Sequence, residues 1–268
     1  EGAQNAPIVF VVGQLPEVYS ENFEAFPGGW SITGDAISGV WEIAEPNGTF
    51  YGDTPVAPDN DTTDNGELCY VTGNSAPTNS PSSDDVDGGA TTLRSPLIDL
   101  FDQESVMLTY FRWYTNNLGD NPSSDIWKVE VSDNGGGSWV TLENTNISNN
   151  SWEKQMFFLE DYIDLTSDVR IKFTAEDIFY DGEFGSGGSI VVAAVDDILV
   201  RSIDSNDQIL LGDVNFDSVI DILDIVMIIN FVLGAVDPTA AEFNSADLNN
   251  DGVIDILDIV NVINIILD

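Results

Sequence analysis

Histidine is absent from all 268 residues. That removes the commonest general base and the commonest zinc ligand, so neither a Ser-His-Asp triad nor a His-ligated zinc site can be assembled from this chain. Cysteine occurs once, at Cys69, so no disulfide can close within the chain. Positive charge is scarce: seven Lys and Arg stand against 47 Asp and Glu, for a formal net charge of −40. The seven are Arg94, Arg112, Lys128, Lys154, Arg170, Lys172 and Arg201. Such a chain cannot neutralise a phosphate backbone, which excludes nucleic acid as a partner. No apolar run is long enough to be a transmembrane segment. A Gly-x-Ser-x-Gly elbow, a His-Glu-x-x-His helix and a phosphate-binding glycine loop are also missing. Paired carboxylates are unavoidable in so acidic a chain and say nothing about catalysis. The expectation is a protein that is not an enzyme, with divalent cations as its natural counter-charge.

What is abundant is Asp and Asn at fixed intervals near the C-terminus. A calcium ion takes roughly six to eight oxygens, and a twelve-residue loop supplies them from positions 1, 3, 5, 7, 9 and 12, position 7 through its backbone carbonyl. Those positions are filled by Asp213, Asn215, Asp217, Val219, Asp221 and Asp224. They are filled again by Asp247, Asn249, Asp251, Val253, Asp255 and Asp258. The copies are offset by about 34 residues, which marks an internal repeat. Position 6 favours glycine for its sharp turn; Gly252 fits and Ser218 departs. Position 8 is Ile220 and Ile254, the usual place for a short strand pairing between loops. Position 12 is Asp rather than Glu, one methylene shorter, so its second oxygen is harder to place on an ion.

Each loop leads into an apolar helical stretch, Ile222 to Leu233 and Ile256 to Leu267. Gly234 and Pro238 stop the first. Both stretches are apolar almost all round, whereas a surface helix normally keeps one polar face. A unit this small buries one face of each helix. The leftover apolar surface either marks an interface or packs on the neighbouring domain of the same chain.

Asp at position 12, a helix after each loop and no amphipathic helix before it together resemble a type I dockerin over residues 210–268. The resemblance implies two Ca2+ ions, an extracellular or cell-surface setting, and docking to a cohesin-like partner. Loop positions 10 and 11 would make the contact: Ile222, Leu223, Ile256 and Leu257.

Upstream, many short β-prone runs separated by turn residues predict a β-sandwich. Runs at 39–43, 67–71, 91–100, 106–114, 126–131, 138–142, 152–159, 169–175 and 189–200 are expected strands. Residues 48–93 read as irregular loop apart from the run at 67–71. The fold class expected is mainly β: a jelly-roll β-sandwich followed by a small all-α module with two EF-hand-type loops. The divisions are an N-terminal segment with a short strand (1–18, strand at 8–12), the sandwich (19–202), a linker (203–209) and the repeat (210–268).

Glu21-Asn22-Phe23-Glu24, Asp85-Val86-Asp87-Gly88-Gly89, Leu93-Arg94-Ser95-Pro96, the Asn134-Gly135-Gly136 hairpin with Trp139, and Ala194-Val195-Asp196-Asp197-Ile198 resemble MAM-like jelly-roll domains. Such domains are appended to secreted bacterial zinc carboxypeptidases. The resemblance implies a non-catalytic accessory and a second calcium site, with Glu24 and Asp197 meeting Asp85 or Asp87. The aromatics Trp113, Tyr114, Trp127 and Trp139 either stack on sugars or fill the core. The function expected is adhesion or assembly through a cohesin-like partner or self-association. The alternatives are a glycan-binding module and the trailing region of a longer secreted metallopeptidase.

Overall fold

The structure is a computed structural model and describes residues 15–25, 28–63, 65–177, 188–203, 210–217, 219–249 and 251–267. Two compact units are present, one spanning Glu17–Ile203 and one containing the C-terminal repeat. The expected strand at 8–12 and linker residues 204–209 lie outside the described residues.

The larger unit has thirteen described strands: β1 (Glu17–Glu21), β2 (Ser31–Gly34), β3 (Glu42–Ala44), β4 (Thr49–Tyr51), β5 (Thr54–Ala57), β6 (Cys69–Val71), β7 (Gly89–Arg94), β8 (Val106–Thr115), β9 (Trp127–Ser132), β10 (Val140–Thr145), β11 (Glu153–Phe158), β12 (Arg170–Asp177) and β13 (Val192–Ser202). One sheet runs β11-β8-β13-β6-β3, with β1 also on β13, and the other runs β10-β9-β12-β7-β2. Every pairing between these strands is antiparallel. Alternation along β12 sends Ile171, Phe173 and Ala175 inward and Arg170, Lys172 and Thr174 outward, the period-two pattern of a sheet buried on one side. Between the sheets lie Trp127, Tyr110, Tyr114, Phe173, Leu93 and Leu108, all fully buried.

The hairpin β4–β5 sits in the stretch the sequence assigns to loop. Its Val56 carbonyl accepts from Trp113 Nε1 at 2.9 Å and from Thr115 Oγ1 at 2.7 Å, so it covers the outer side of β8. This accounts for the burial of the Trp113–Thr115 end of β8 on its outer face. Gly52 turns the hairpin and Pro55 stands in β5, a pairing suited to a sheet edge. β1 and β2 are also strands the sequence reading leaves unassigned.

The C-terminal unit holds helices α1 (Ile222–Val232), α2 (Ala240–Ala246) and α3 (Ile256–Leu267). α1 closes with Gly234 N–H on the Phe231 carbonyl and Ala235 N–H on the Asn230 carbonyl, both 2.9 Å, and Gly234 at φ 65°. This is the Schellman arrangement, in which glycine takes the left-handed turn. The short helix α2 lies ahead of the second loop, where the sequence reading expects no amphipathic helix. Its start is Thr239, whose hydroxyl accepts the Glu242 amide while Glu242 accepts the Thr239 amide. Val214, Ile225, Ile228, Ala246 and Val262 form the unit's core, and Ile220 and Ile254 pack against it. No strand joins Ile220 to Ile254 among the described residues.

Candidate calcium and docking site

Each loop is folded by its own side chains. In the first, Asp217 N–H donates to Asp213 Oδ1 at 3.2 Å and Asn215 Oδ1 at 2.9 Å, and Asn215 Nδ2 donates to Asp217 Oδ2 at 2.9 Å. Positions 1, 3 and 5 therefore crowd one corner. The second loop repeats this with Asp247, Asn249 and Asp251 at 3.1, 2.9 and 3.0 Å. There Gly252, at φ 84°, adds an amide to Asp247 Oδ2 at 2.8 Å. Ser218 at the equivalent place lies outside the described residues.

Position 12 is fully buried in both copies. Asp224 Oδ1 accepts the Val214 and Asn215 amides at 2.8 and 3.2 Å, and Oδ2 accepts the Asp221 amide at 2.9 Å. Asp258 does the same with Leu248, Asn249 and Asp255 at 3.0, 3.3 and 2.9 Å. A carboxylate offers roughly four lone-pair positions. With three taken, Oδ2 keeps one free direction. Burial pushes the Asp224 carboxyl above its ordinary value, the three amides pull it back, and the Asp217 charge raises it again. At position 9, Asp221 and Asp255 each accept an amide of the following helix, Leu223 and Leu257, at 2.7 Å. For Asp221 this is the N-cap of α1.

The donors are hard oxygens throughout, which suits calcium rather than a thiolate- or imidazole-seeking metal. Among the described residues no three acidic side chains already enclose a cation. The loop carboxylates are turned onto amides, so an ion must draw them inward.

Residues 211–267 match the family model for the dockerin type I domain. Dockerin domains bind calcium and dock to cohesins, and they occur in extracellular or cell-surface proteins.

The dockerin region presents its positions 10 and 11 alike in both copies. Ile222 and Ile256 are 63% and 65% exposed, and Leu223 and Leu257 are each 55% exposed. From each pair an apolar stripe continues along the helix, through Val226 and Ile229 on α1 to Leu233 at its C-cap, and through Val260, Ile263 and Leu267 on α3, all exposed. The spacing i, i+4, i+7, i+11 places each stripe on a single helix face. Ile225 and Ile228 on α1 and Val262 on α3 face the core instead.

The four acids expected around one ion of the sandwich fall into two groups. Asp197 stands at a bulge in β13, where φ is 46° and the register with β8 shifts. It accepts the hydroxyls of Thr62 and Thr63 at 2.9 and 2.8 Å, and Asp196 beside it accepts the Thr62 amide at 2.8 Å. Burial pushes Asp196 up to about 7. Glu24 Oε1 accepts the amides of Glu67 and Leu68 at 3.0 and 2.7 Å. A Cβ built on Gly66 would lie 2.3 Å from Asp61 Oδ2 and 2.7 Å from Glu24 Oε1, so these two carboxylates adjoin. Burial, then Glu24, and more weakly Asp197, raise the Asp61 carboxyl, and its buried Oδ2 has no hydrogen-bond partner. Asp61 is thus a member the sequence did not single out, hidden among many loop acids.

Asp85 and Asp87 form the other group, near the start of β13. Asp85 Oδ2 accepts the Val191 amide at 3.3 Å, and Ser38 Oγ donates to the Asp85 carbonyl and to Asp87 Oδ2 at 2.7 and 3.2 Å. Burial first, then Asp87 and Asp177, push Asp85 up to about 8. The groups separate because Asp197 lies in the middle of β13, whereas Val191 precedes the strand. Of the four aromatics, Trp113, Tyr114 and Trp127 are buried, and Trp139 alone reaches the surface.

No curated protein matches the chain. Among solved structures, the sandwich is similar to the K1 cleaved adhesin domain of Lys-gingipain from Porphyromonas gingivalis W83, at 14% identity over 69% of this chain and 98% of that one, TM-score 0.43. It is also similar to TmCBM61 in complex with β-1,4-galactotriose, at 13% identity over 68% and 94%, TM-score 0.41. A third is the Clostridium thermocellum endo-1,4-β-D-xylanase CBM22-1–GH10 modules complexed with xylohexaose, at 12% identity over 71% and 29%, TM-score 0.39.

Proposed function

We propose that this is a non-catalytic extracellular assembly protein whose dockerin region, loaded with two calcium ions, docks to a cohesin-type partner and carries the β-sandwich with it. The observation that supports this most directly is the pair of equal apolar stripes that begin at Ile222-Leu223 and Ile256-Leu257 and stay outside the unit's own core. Calcium acts through folding. The ligands are Asp213, Asn215, Asp217, the Val219 carbonyl, Asp221 and Asp224, and in the second loop Asp247, Asn249, Asp251, the Val253 carbonyl, Asp255 and Asp258. The like charges at positions 1, 5, 9 and 12 repel one another until an ion sits among them, so binding free energy becomes folding free energy. Both helices are then held with their stripes outward. In the sandwich, a further ion beside Glu24 and Asp61, with Asp197 more weakly engaged, would relieve the repulsion between these adjoining carboxylates.

The test is co-purification of the full chain with a recombinant type I cohesin, in millimolar calcium and in EDTA, with molar mass by light scattering alongside. A one-to-one complex that forms only in calcium is the expected result. Discrete oligomers of the chain alone in calcium would replace the cohesin with self-association. No complex and no oligomer would end the docking reading.

A further inference from the structure

The two outer sheet faces of the sandwich differ. One is covered at β8 by the β4–β5 hairpin. The other, the outward side of β10-β9-β12-β7-β2, carries four of the chain's seven basic residues: Arg94, Lys128, Arg170 and Lys172. Its residues stand in two cross-strand rows. In one row, Lys172 is the register partner of Glu130 on β9 and of Arg94 on β7. In the next, Thr174 is the partner of Lys128 and of Thr92, and its hydroxyl is 3.2 Å from that of Thr92. Glu130 and Glu176 are the acids that β9 and β12 turn outward on this face.

Lys172 and Arg94 thus face each other directly, and like charges opposed across a strand pair are destabilising. Acids outnumber bases 47 to 7, so carboxylates to separate them were plentiful. Lys172 is held by Glu130 at 2.6 Å, and Lys128 shares that carboxylate at 3.0 Å. Arg94 takes part in no ion pair among the described residues, and its buried Nε donates to nothing. Next to it stands Trp139, with Lys172 Nζ 4.3 Å from its ring centroid. A Cβ built on Gly136 would lie 3.1 Å from Trp139 Cζ2 and 3.7 Å from Arg94 Nη1, so ring and guanidinium flank the same bare turn.

We propose that this face binds an acidic polysaccharide, with a uronate carboxylate seated between Arg94 and Lys172 and sugar rings lying along Trp139 and the Thr92–Thr174 hydroxyls. A guanidinium grips a carboxylate through two parallel N–H bonds, which an ammonium cannot do. Glu130 already serves Lys172, so the anion that is missing is the one for Arg94. Trp139 offers an apolar ring with a polar edge, and the threonines offer hydroxyls to hydroxyls, a surface better matched to sugar than to a peptide chain. A row of side chains that crosses neighbouring strands, each about 4.8 Å from the next, suits an extended polymer. This surface belongs to the sandwich and its occupancy does not depend on cohesin docking.

The experiment is calorimetric titration of the full chain, at fixed calcium, with trigalacturonate, with neutral β-1,4-galactotriose, and with a short polyglutamate. Saturable binding of trigalacturonate that weakens with added salt, and much weaker binding of the other two, is expected. Arg94→Gln and Trp139→Ala should each weaken binding by about tenfold or more. Arg94→Gln should melt no lower than the parent, because it removes a like-charge contact. If it fails to fold, Lys128→Gln at the solvated end of the neighbouring row gives the same reading, with a smaller loss. Equal binding of the neutral sugar, equal binding of polyglutamate, absence of saturable binding, or unchanged affinity in Arg94→Gln each overturns the proposal; equal polyglutamate binding would make the face an acidic-peptide site.

Discussion

Asp258 accepts the Leu248 amide at 3.0 Å, a bond that spans ten residues and closes the second loop on itself. Asp224 and Val214 make the same bond at 2.8 Å in the first. The last residue of each loop is therefore an internal strut as well as a proposed ligand.

Removing that strut has a definite cost. Asp258→Ala leaves the Leu248, Asn249 and Asp255 amides without their acceptor, and about 3 kcal/mol of stability should go with them. Urea unfolding in EDTA, followed by helical circular dichroism, measures it. A loss below about 0.5 kcal/mol would show that the amides find other partners.

Calcium stoichiometry separates the proposed sites. Titration of the metal-free chain should give two ions for the dockerin region and one for the sandwich. Asp61→Asn should lower the total by one and leave the helical signal intact. A count unchanged by that substitution removes the sandwich ion.

The apolar pairs should act in parallel, because both copies present the same residues. Ile222→Asp with Leu223→Asp should leave cohesin capture largely intact, as should the equivalent change at Ile256 and Leu257. All four together should abolish it. Acids in the first turn of a helix suit its dipole, so helicity should survive. Full capture by the fourfold variant would move the contact elsewhere.

Glu130 gives a pH dependence. Burial pushes its carboxyl up, and the ammonium groups of Lys172 and Lys128 pull it further down, leaving it below its ordinary value of 4.5. A carboxyl lowered on folding adds stability that is complete above its unfolded value and is lost as pH falls through the folded one. The melting temperatures of the parent and of Glu130→Gln should thus differ at neutral pH and converge at pH values below 4.5. A gap that stays constant down to acid unfolding would contradict the pairing.

The loops were legible because ligand chemistry fixes residue type and spacing together, and the spacing occurs twice. The long strands were legible too: Arg170 to Asp177 alternates residue by residue, and Val106 to Thr115 is an unbroken run of mostly β-prone residues. The β4–β5 hairpin was not, since Gly52, Asp53 and Pro55 read as turn and only the Val56 carbonyl's contacts with Trp113 and Thr115 reveal its packing. α2 was announced by Thr239 and Glu242, a capping pair easily passed over ahead of so short a helix. The grouping of Glu24 with Asp61 and Asp197, away from Asp85, rests on the packing of the Thr62–Thr63 loop against β13, which no local pattern encodes.

β13 has a consequence for how this molecule is made. It is the last strand of the sandwich in sequence, yet it lies inside its sheet, between β8 and β6, and also takes β1, with Tyr19 opposite Val200. A chain delivered from its N-terminus must hold β1, β6 and β8 without their common neighbour until nearly the whole domain has emerged. Closure is then a late, long-range event of the kind that slows folding. Until it happens, the waiting strands offer open edges to one another and to other chains, and the dense negative charge of the sequence is what keeps those chains apart.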